Sequence, residues 1–329
     1  MSQAAGPGRV LALCGGVGGA KLAFGLAAAL PEDELTVVVN TGDDFQHLGL
    51  EISPDIDTVT YTLAGLADRE RGWGSAGDTW NFLGALARLG GEDWFQIGDR
   101  DLALHVERTR RLKAGESLSE VTADLARRLT VKHSIVPMSD QPVRTWLDTE
   151  IGPLPFQHYF VREHCLPVVR GVRFEGVTGA QPSPDFARDL ARRDLAAIVI
   201  CPSNPYLSID PILAVPGVAE AISAAASPRV AVSPLVGGRA VKGPTAKLMA
   251  ELGVPGTVTA IADHYVRLID AMVIDIADAD QASCLEARGL AVHVTQTVMT
   301  TDQDRVRLAT ETLDFARSLR TLAQPAASL

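Results

Sequence analysis

The chain has 329 residues, 47% hydrophobic and 21% charged, an ordinary soluble composition that argues against disorder or fibrous structure. Its 40 acidic and 30 basic residues give a formal net charge of −10, which disfavours a general nucleic-acid binder but leaves room for a locally positive cleft around a small anion. The four cysteines, Cys14, Cys165, Cys201 and Cys284, are far apart and form no CxxC pair, and no apolar run reaches the ~20 residues of a membrane span, so reduced thiols and a cytoplasmic location are expected.

After a polar tail, Met1 to Arg9, Val10 to Cys14 reads as a strand, Gly15 to Gly19 as a loop and Lys21 to Leu30 as an Ala/Leu-rich helix stopped by Pro31. Glu34 to Asn40 is a second β-branched run, and this βαβ opening implies a parallel sheet covered on both faces. From Tyr61 to about Val131 the texture is helical, with helix spacing in Asp78 to Leu89 and Leu102 to Leu129. Gly115 interrupts the second stretch, and Ser117 with Glu120 has the spacing of a capping box. The α/β rhythm resumes near Val168. Strands are predicted at Ala196–Cys201, Arg229–Leu235, Met272–Ile276 and Ala291–Thr295, with helices at Pro184–Arg193, Ile212–Ala225, Thr245–Leu252 and Thr301–Leu319 and a loose tail from Gln324. The expected fold is α/β: a Rossmann-like parallel-sheet core in residues 9–60 and 132–322, binding a nucleotide, with a mostly helical insertion in 61–131.

Ligands of open α/β sheets bind outside the carboxyl ends of the strands, so the loops after strands are the places to search. In the first, Gly15 to Lys21, the backbone of Gly16, Val17, Gly18 and Gly19 can approach an anion at a helix start, with Lys21 beside it; a tight structural turn is the alternative. The segment lacks the Gly-Lys-Ser/Thr ending of a P-loop. It also fits a dinucleotide fingerprint poorly, because Lys21 stands where the third glycine belongs and Asn40 where the ribose-binding acid belongs. The second, Asn40-Thr41-Gly42-Asp43-Asp44, is followed by Ser53-Pro54-Asp55-Ile56-Asp57. Four aspartates beside a phosphate loop suit an oxygen-loving cation such as Mg²⁺, with Asp57 and Asp44 the chosen ligands and Thr41 a nucleotide contact. The third, Cys201 to Pro205, offers Ser203 and Asn204 as short neutral donors. The fourth, Val236 to Thr245, carries glycines and Lys242 ahead of a helix start. In the insertion, Trp73, Trp80 and Asn81 suit a flat heterocycle or serve as core and caps.

Taken in order, GGVGGAK (15–21), VVNTGDD (38–44), SPDIDTVTYTL (53–63), GDRD (98–101), PMSDQPV (137–143), PSNP (202–205) and SPLVGGRAVKGPTAKLM (233–249) resemble the 2-phospho-L-lactate transferase family. The resemblance implies transfer of a phosphorylated small acid (2-phospholactate, phosphoenolpyruvate or 3-phosphoglycerate) from its guanosine diphosphate ester to the terminal ribityl hydroxyl of the deazaflavin Fo. GMP leaves, on the way to coenzyme F420. It implies Mg²⁺, a homodimer, and Asp57 at the metal and the Fo hydroxyl, with Asp44 or Asp57 orienting or deprotonating that hydroxyl. A second deazaflavin contact is implied at Gln96, just before GDRD, where some members carry a basic residue. Replacing Asp57 by Asn is expected to abolish turnover and leave the fold intact. Two rivals are a non-catalytic nucleotide-sugar-binding regulator of the same fold and an NAD-linked oxidoreductase. Against the regulator stand Phe45-Gln46-His47 after the double aspartate and the Trp-bearing insertion; against the oxidoreductase stand Lys21 and Asn40.

Overall fold

The computed structural model describes residues 8–240 and 243–323. Strand β1 (Val10–Cys14) is wholly buried and leads into α1 (Gly16–Ala29), after which β2 (Leu35–Val39) runs parallel to β1. A short hairpin, β3 (Phe45–His47) and β4 (Leu50–Ile52), precedes α2 (Pro54–Leu63). Next come α3 (Asn81–Arg88), α4 (Asp99–Lys113) and α5 (Leu118–Arg128). The Ser117 hydroxyl accepts from the Glu120 N–H while the Glu120 carboxylate accepts from the Ser117 N–H, so the predicted capping box closes at α5. Helix α3 starts three residues later than its spacing suggests, because Asp78 and Thr79 are tied to the start of α4.

Strand β5 (Ser134–Pro137) then returns to pair with β2, well before Val168, where the sequence was expected to resume its α/β rhythm. At four residues with a terminal proline it is too short to show a period. A second, antiparallel sheet follows in the order β7-β6-β8, from β6 (Arg144–Thr149), β7 (Gly152–Pro155) and β8 (Val169–Glu175). The remaining chain supplies α6 (Pro184–Leu190), β9 (Ala197–Ile200), α7 (Asp210–Ala214), α8 (Val218–Ser223) and β10 (Arg229–Val232). After these come a small hairpin, β11 (Leu235–Val236) and β12 (Arg239–Ala240), then α9 (Thr245–Glu251) and α10 (Val258–His264). Strand β13 (Ala271–Asp275), α11 (Ala282–Glu286), β14 (Ala291–Thr295) and α12 (Asp302–Ala323) complete the fold.

Two predicted elements are corrected. The single helix expected over Ile212–Ala225 is broken in two by Pro216-Gly217, the glycine at φ +83°. The strand expected over Arg229–Leu235 stops at Val232, because Pro234 has no N–H to continue a ladder.

All seven strands of the main sheet are parallel, in the order β14-β13-β10-β9-β1-β2-β5. Side chains alternate across it: Leu11 and Leu13 enter one core, Val10, Ala12 and Cys14 the other, so both faces are covered by helices. The chain moves from β1 outward through β2 to β5, then jumps back to β9 on the other side of β1. The strand order therefore reverses between β1 and β9, and the segments following those two strands diverge to open a crevice.

Candidate functional site

A cavity of about 620 Å³ occupies that crevice. Its floor is the start of α1. Gly15 is extended and α1 begins at Gly16, so the segment expected to be a loop is the helix's first turn. Gly16 has φ +62°, which glycine adopts without strain. A Cβ on Gly18 would lie 2.4 Å from the Pro202 carbonyl oxygen, and one on Gly19 2.4 Å from Ser203 Oγ. Bare backbone is thus needed for the helix to seat on the segment after β9, whatever it also does for an anion. The Gly15 N–H donates to Ser203 Oγ (3.0 Å), and Ser203 Oγ donates back to the Gly15 carbonyl (2.8 Å). The Gly16 N–H donates to Asp55 Oδ1 at 2.7 Å. Three of the four segments singled out in the sequence therefore interlock here. The first N–H groups of any helix lack intrahelical acceptors, so this end of α1 faces the cavity with unspent donors and a positive dipole.

One wall is carboxylate. Asp43, Asp55, Asp57 and Asp101 line the cavity, and all are buried. Asn40 Nδ2 holds Asp43 Oδ1 at 3.2 Å and Asp55 Oδ2 at 3.0 Å, bringing those two acids together. Burial raises the Asp43 carboxyl well above its ordinary value, and the charges of Asp55 and Asp44 push it further. Burial also raises Asp55 to about 6, against the hydrogen bonds from Asn40 and the Gly16 N–H. Asp44 is pushed to about 7, again by burial, although Arg144 and the Ser53 hydroxyl favour its charge. Asp44 stands behind the wall: Ser53 Oγ donates to its Oδ2 at 2.9 Å, and its Oδ1 is buried without a hydrogen-bond partner among the described residues. Oxygen donors crowded together with too little positive charge nearby are the chemistry a hard divalent cation relieves.

Asp57 is compensated from inside the protein. Arg108 of α4, buried, donates from Nη1 to Asp57 Oδ2 at 3.0 Å and from Nη2 to Asp57 Oδ1. His105 Nδ1 lies 3.6 Å from Asp57 Oδ2, and its Nε2 lies 3.5 Å from Asp101 Oδ2. The Tyr61 hydroxyl donates to Asp101 Oδ1 at 2.7 Å. One ligand atom from each of Asp57, Asp101 and His105 falls within a 4.8 Å span, the group of described residues best placed by distance to share a cation. The guanidinium on Asp57 stands against that arrangement.

Another part of the lining is aromatic. Trp94 and Phe95 meet edge to face at 5.8 Å, and Phe156 stacks on Phe160 at 5.3 Å. Trp73 enters from the rim, with the Arg71 guanidinium 5.2 Å from its ring centre. These rings line the same space as the acids, so the cavity offers a flat apolar slot beside charged chemistry.

Of the residues the sequence nominated, Gly16, Val17, Gly18, Lys21, Asp57, Gln96, Ser203 and Asn204 line the cavity. Asn204 Oδ1 accepts from the Tyr206 and Leu207 N–H groups, while its Nδ2 is buried without a hydrogen-bond partner among the described residues. Asp44, Gly19, Thr41 and Asn81 do not line it. Gly19 packs on Ser203, Thr41 lies buried behind Asp43, and Asn81 donates to Asp99 at 2.8 Å on the exposed side of α3. Lys242 lies outside the described residues. The sequence reading passed over Arg108, His105, Asp101 and Tyr61 as site residues. Their signal was available: 101, 105 and 108 share one helix face, and an acid, an imidazole and a guanidinium in line mark more than a solvated surface.

Comparison with known proteins gives a consistent result. Residues 10–313 match the family profile described as 2-phospho-L-lactate transferase CofD. The chain is 41% identical over 319 residues to a phosphoenolpyruvate transferase of Kitasatospora aureofaciens, covering 95% of this chain and 99% of that protein. It is 38% identical over 295 residues to a 2-phospho-L-lactate transferase of Methanosarcina mazei, covering 90% and 96%. Among solved structures, a UPF0052-family protein of Bacillus halodurans superposes with a TM-score of 0.60 over 95% of this chain and 99% of its own. At 17% identity, that likeness speaks to the fold alone. No helix among the described residues is long and apolar enough to cross a membrane.

Proposed function

The chain belongs to the 2-phospho-L-lactate transferase CofD family, and from that premise we propose that it is the transferase that moves a phosphorylated three-carbon acid onto the deazaflavin Fo in coenzyme F420 biosynthesis. The donor is the acid's guanosine diphosphate ester. The terminal ribityl hydroxyl of Fo attacks the phosphorus that carries the acid, that P–O bond forms as the bond to the GMP phosphate breaks, and the hydroxyl proton leaves to a carboxylate. The observation that supports this most is one cavity bounded by a helix start with unspent N–H donors, a carboxylate wall and an aromatic slot.

In this reading the pyrophosphate lies over the N-terminus of α1, where Val17 and Gly18 bring backbone N–H groups and Asn204 Nδ2 supplies a further donor. Fo lies along the Trp94 and Phe156–Phe160 wall, with Gln96 at its edge. Asp43 and Asp55, drawn together by Asn40, would hold Mg²⁺, which supplies neutralisation of phosphate charge as the transition state develops, while Asp57, already paired with Arg108, would orient the Fo hydroxyl. Asp44, hydrogen-bonded to Ser53 behind the wall, adds negative potential. The active form in this reading is a homodimer, and the exposed side chains of Ile151, Leu166 and Val168, near the small antiparallel sheet, are a surface that a second copy would cover.

The test is direct. Purified protein with Mg²⁺ and Fo, offered each of the three guanylated acids in competition, should release GMP and yield one product whose mass names the acid. Absence of GMP with every donor, together with no change in melting temperature on adding Fo, would show the reading to be wrong.

A further inference from the structure

Behind the start of α1 is a second hollow of about 40 Å³. Val17 and Lys21 line it as well as the main cavity, and the rest of its wall comes from residues 62–72 and from Arg305 of α12. A water molecule's share of the liquid is about 30 Å³, so the hollow is the size of one small ion or functional group. Its walls carry three cationic side chains, Lys21, Arg69 and Arg305, and one carboxylate, Asp68. Asp68 is already paired with Arg71 at 2.9 Å.

Arg305 is only 8% exposed. Its guanidinium stands 5.3 Å from the Phe24 ring centre, and Nη1 reaches Asp302 Oδ1 at 3.2 Å. Its Nε is buried and has no hydrogen-bond partner among the described residues. Burial lowers its pKa, Asp302 opposing and Arg69 adding to the effect. A buried guanidinium with an idle donor gains most from a planar or tetrahedral oxyanion, which takes two of its N–H groups at once. Arg69 shares Asp302 with it at 2.7 Å, yet its side chain is 63% exposed, so it is free to swing toward a second anion.

We propose that this hollow is a binding site for a small oxyanion, a phosphate or carboxylate group, gripped by Arg305 and Arg69 and joined to the main cavity through Lys21. The same chemistry has two sources: free inorganic phosphate, or the acid group of a donor whose nucleotide lies in the main cavity. Only the second source rests on the transferase reading.

The experiment titrates inorganic phosphate into the protein by calorimetry, with and without saturating GDP, for wild type, Arg305→Gln and Arg69→Gln. Wild type should bind one phosphate in the presence of GDP, and each variant should bind it at least fivefold more weakly. Arg69→Gln removes an exposed side chain and keeps the test valid if Arg305→Gln fails to fold. No phosphate binding by wild type, binding abolished by GDP, or unchanged affinity in folded Arg69→Gln would each overturn the proposal. A second arm adds the guanosine diphosphate ester of a phosphorylated acid in place of GDP. Displacement of phosphate by the ester but not by GDP assigns the hollow to the donor's acid group; no displacement by either assigns it to free phosphate. Failure of turnover with intact phosphate binding would count against the transferase reading only.

Discussion

Arg108 on α4 grips Asp57 on α2 from both of its terminal nitrogens, and both side chains are buried. Breaking one partner out of such a pair leaves the other as an uncompensated interior charge, a loss of roughly 3–5 kcal/mol. Asp57→Asn should therefore lower turnover at least a hundredfold and, while keeping its fold, melt several degrees below wild type. Arg108→Met should show the same stability loss. Turnover by folded Asp57→Asn at the wild-type rate would remove Asp57 from the chemistry.

The carboxylate wall makes a prediction about pH. Asp44 and Asp55 bind protons up to about 7 and about 6 in the folded chain, well above the ordinary value of 3.8. Between that value and 7 the folded state holds more protons than the unfolded one, so stability is greatest at the acid end and falls as pH rises. The metal-free protein should melt a few degrees higher at pH 5.5 than at pH 8, the shift per kcal/mol falling below the roughly 2–4 °C of chains of 150–250 residues. Millimolar Mg²⁺ should flatten the slope by favouring the ionised carboxylates, and its affinity should rise with pH. A melting temperature independent of pH and of Mg²⁺ would contradict both points.

Gly19 leaves no room for a side chain between α1 and Ser203. Gly19→Val should cost about 1–3 kcal/mol by overpacking and should weaken GDP binding, since the helix start must shift. Chemical denaturation and nucleotide titration of the same variant measure both effects, and wild-type values for both would show the contact to be slack.

Phe160 is 39% exposed and stacks on Phe156 at the cavity wall. Its removal should hardly change stability. Phe160→Ala should raise KM for Fo about 3–10-fold, the range of one aromatic contact, while kcat stays within twofold. An unchanged KM would place the deazaflavin elsewhere.

The βαβ opening was legible because a β-branched run, glycines and an alanine helix follow one another without interruption from Val10 to Val39. The antiparallel sheet was not. Trp146-Leu147-Asp148 alternates over too few residues, and β7 is Gly-Pro-Leu-Pro, whose prolines speak against a strand unless it sits at an edge, as it does. In the site, aspartates clustered along the chain announced themselves. Arg108 did not, because Arg110, Arg111 and Glu107 around it read as a solvated run, and only the helix face shared with Asp101 and His105 separates it from them.

Gly15 is tied to Ser203 and Gly16 to Asp55 by hydrogen bonds that use no ligand atom. Three stretches of chain distant in sequence are thus cross-linked where the pyrophosphate would rest, so the seat is held by the protein's own bonds and binding would lose little affinity to ordering it. Competing donors would then be told apart by how long each stays rather than how fast each enters.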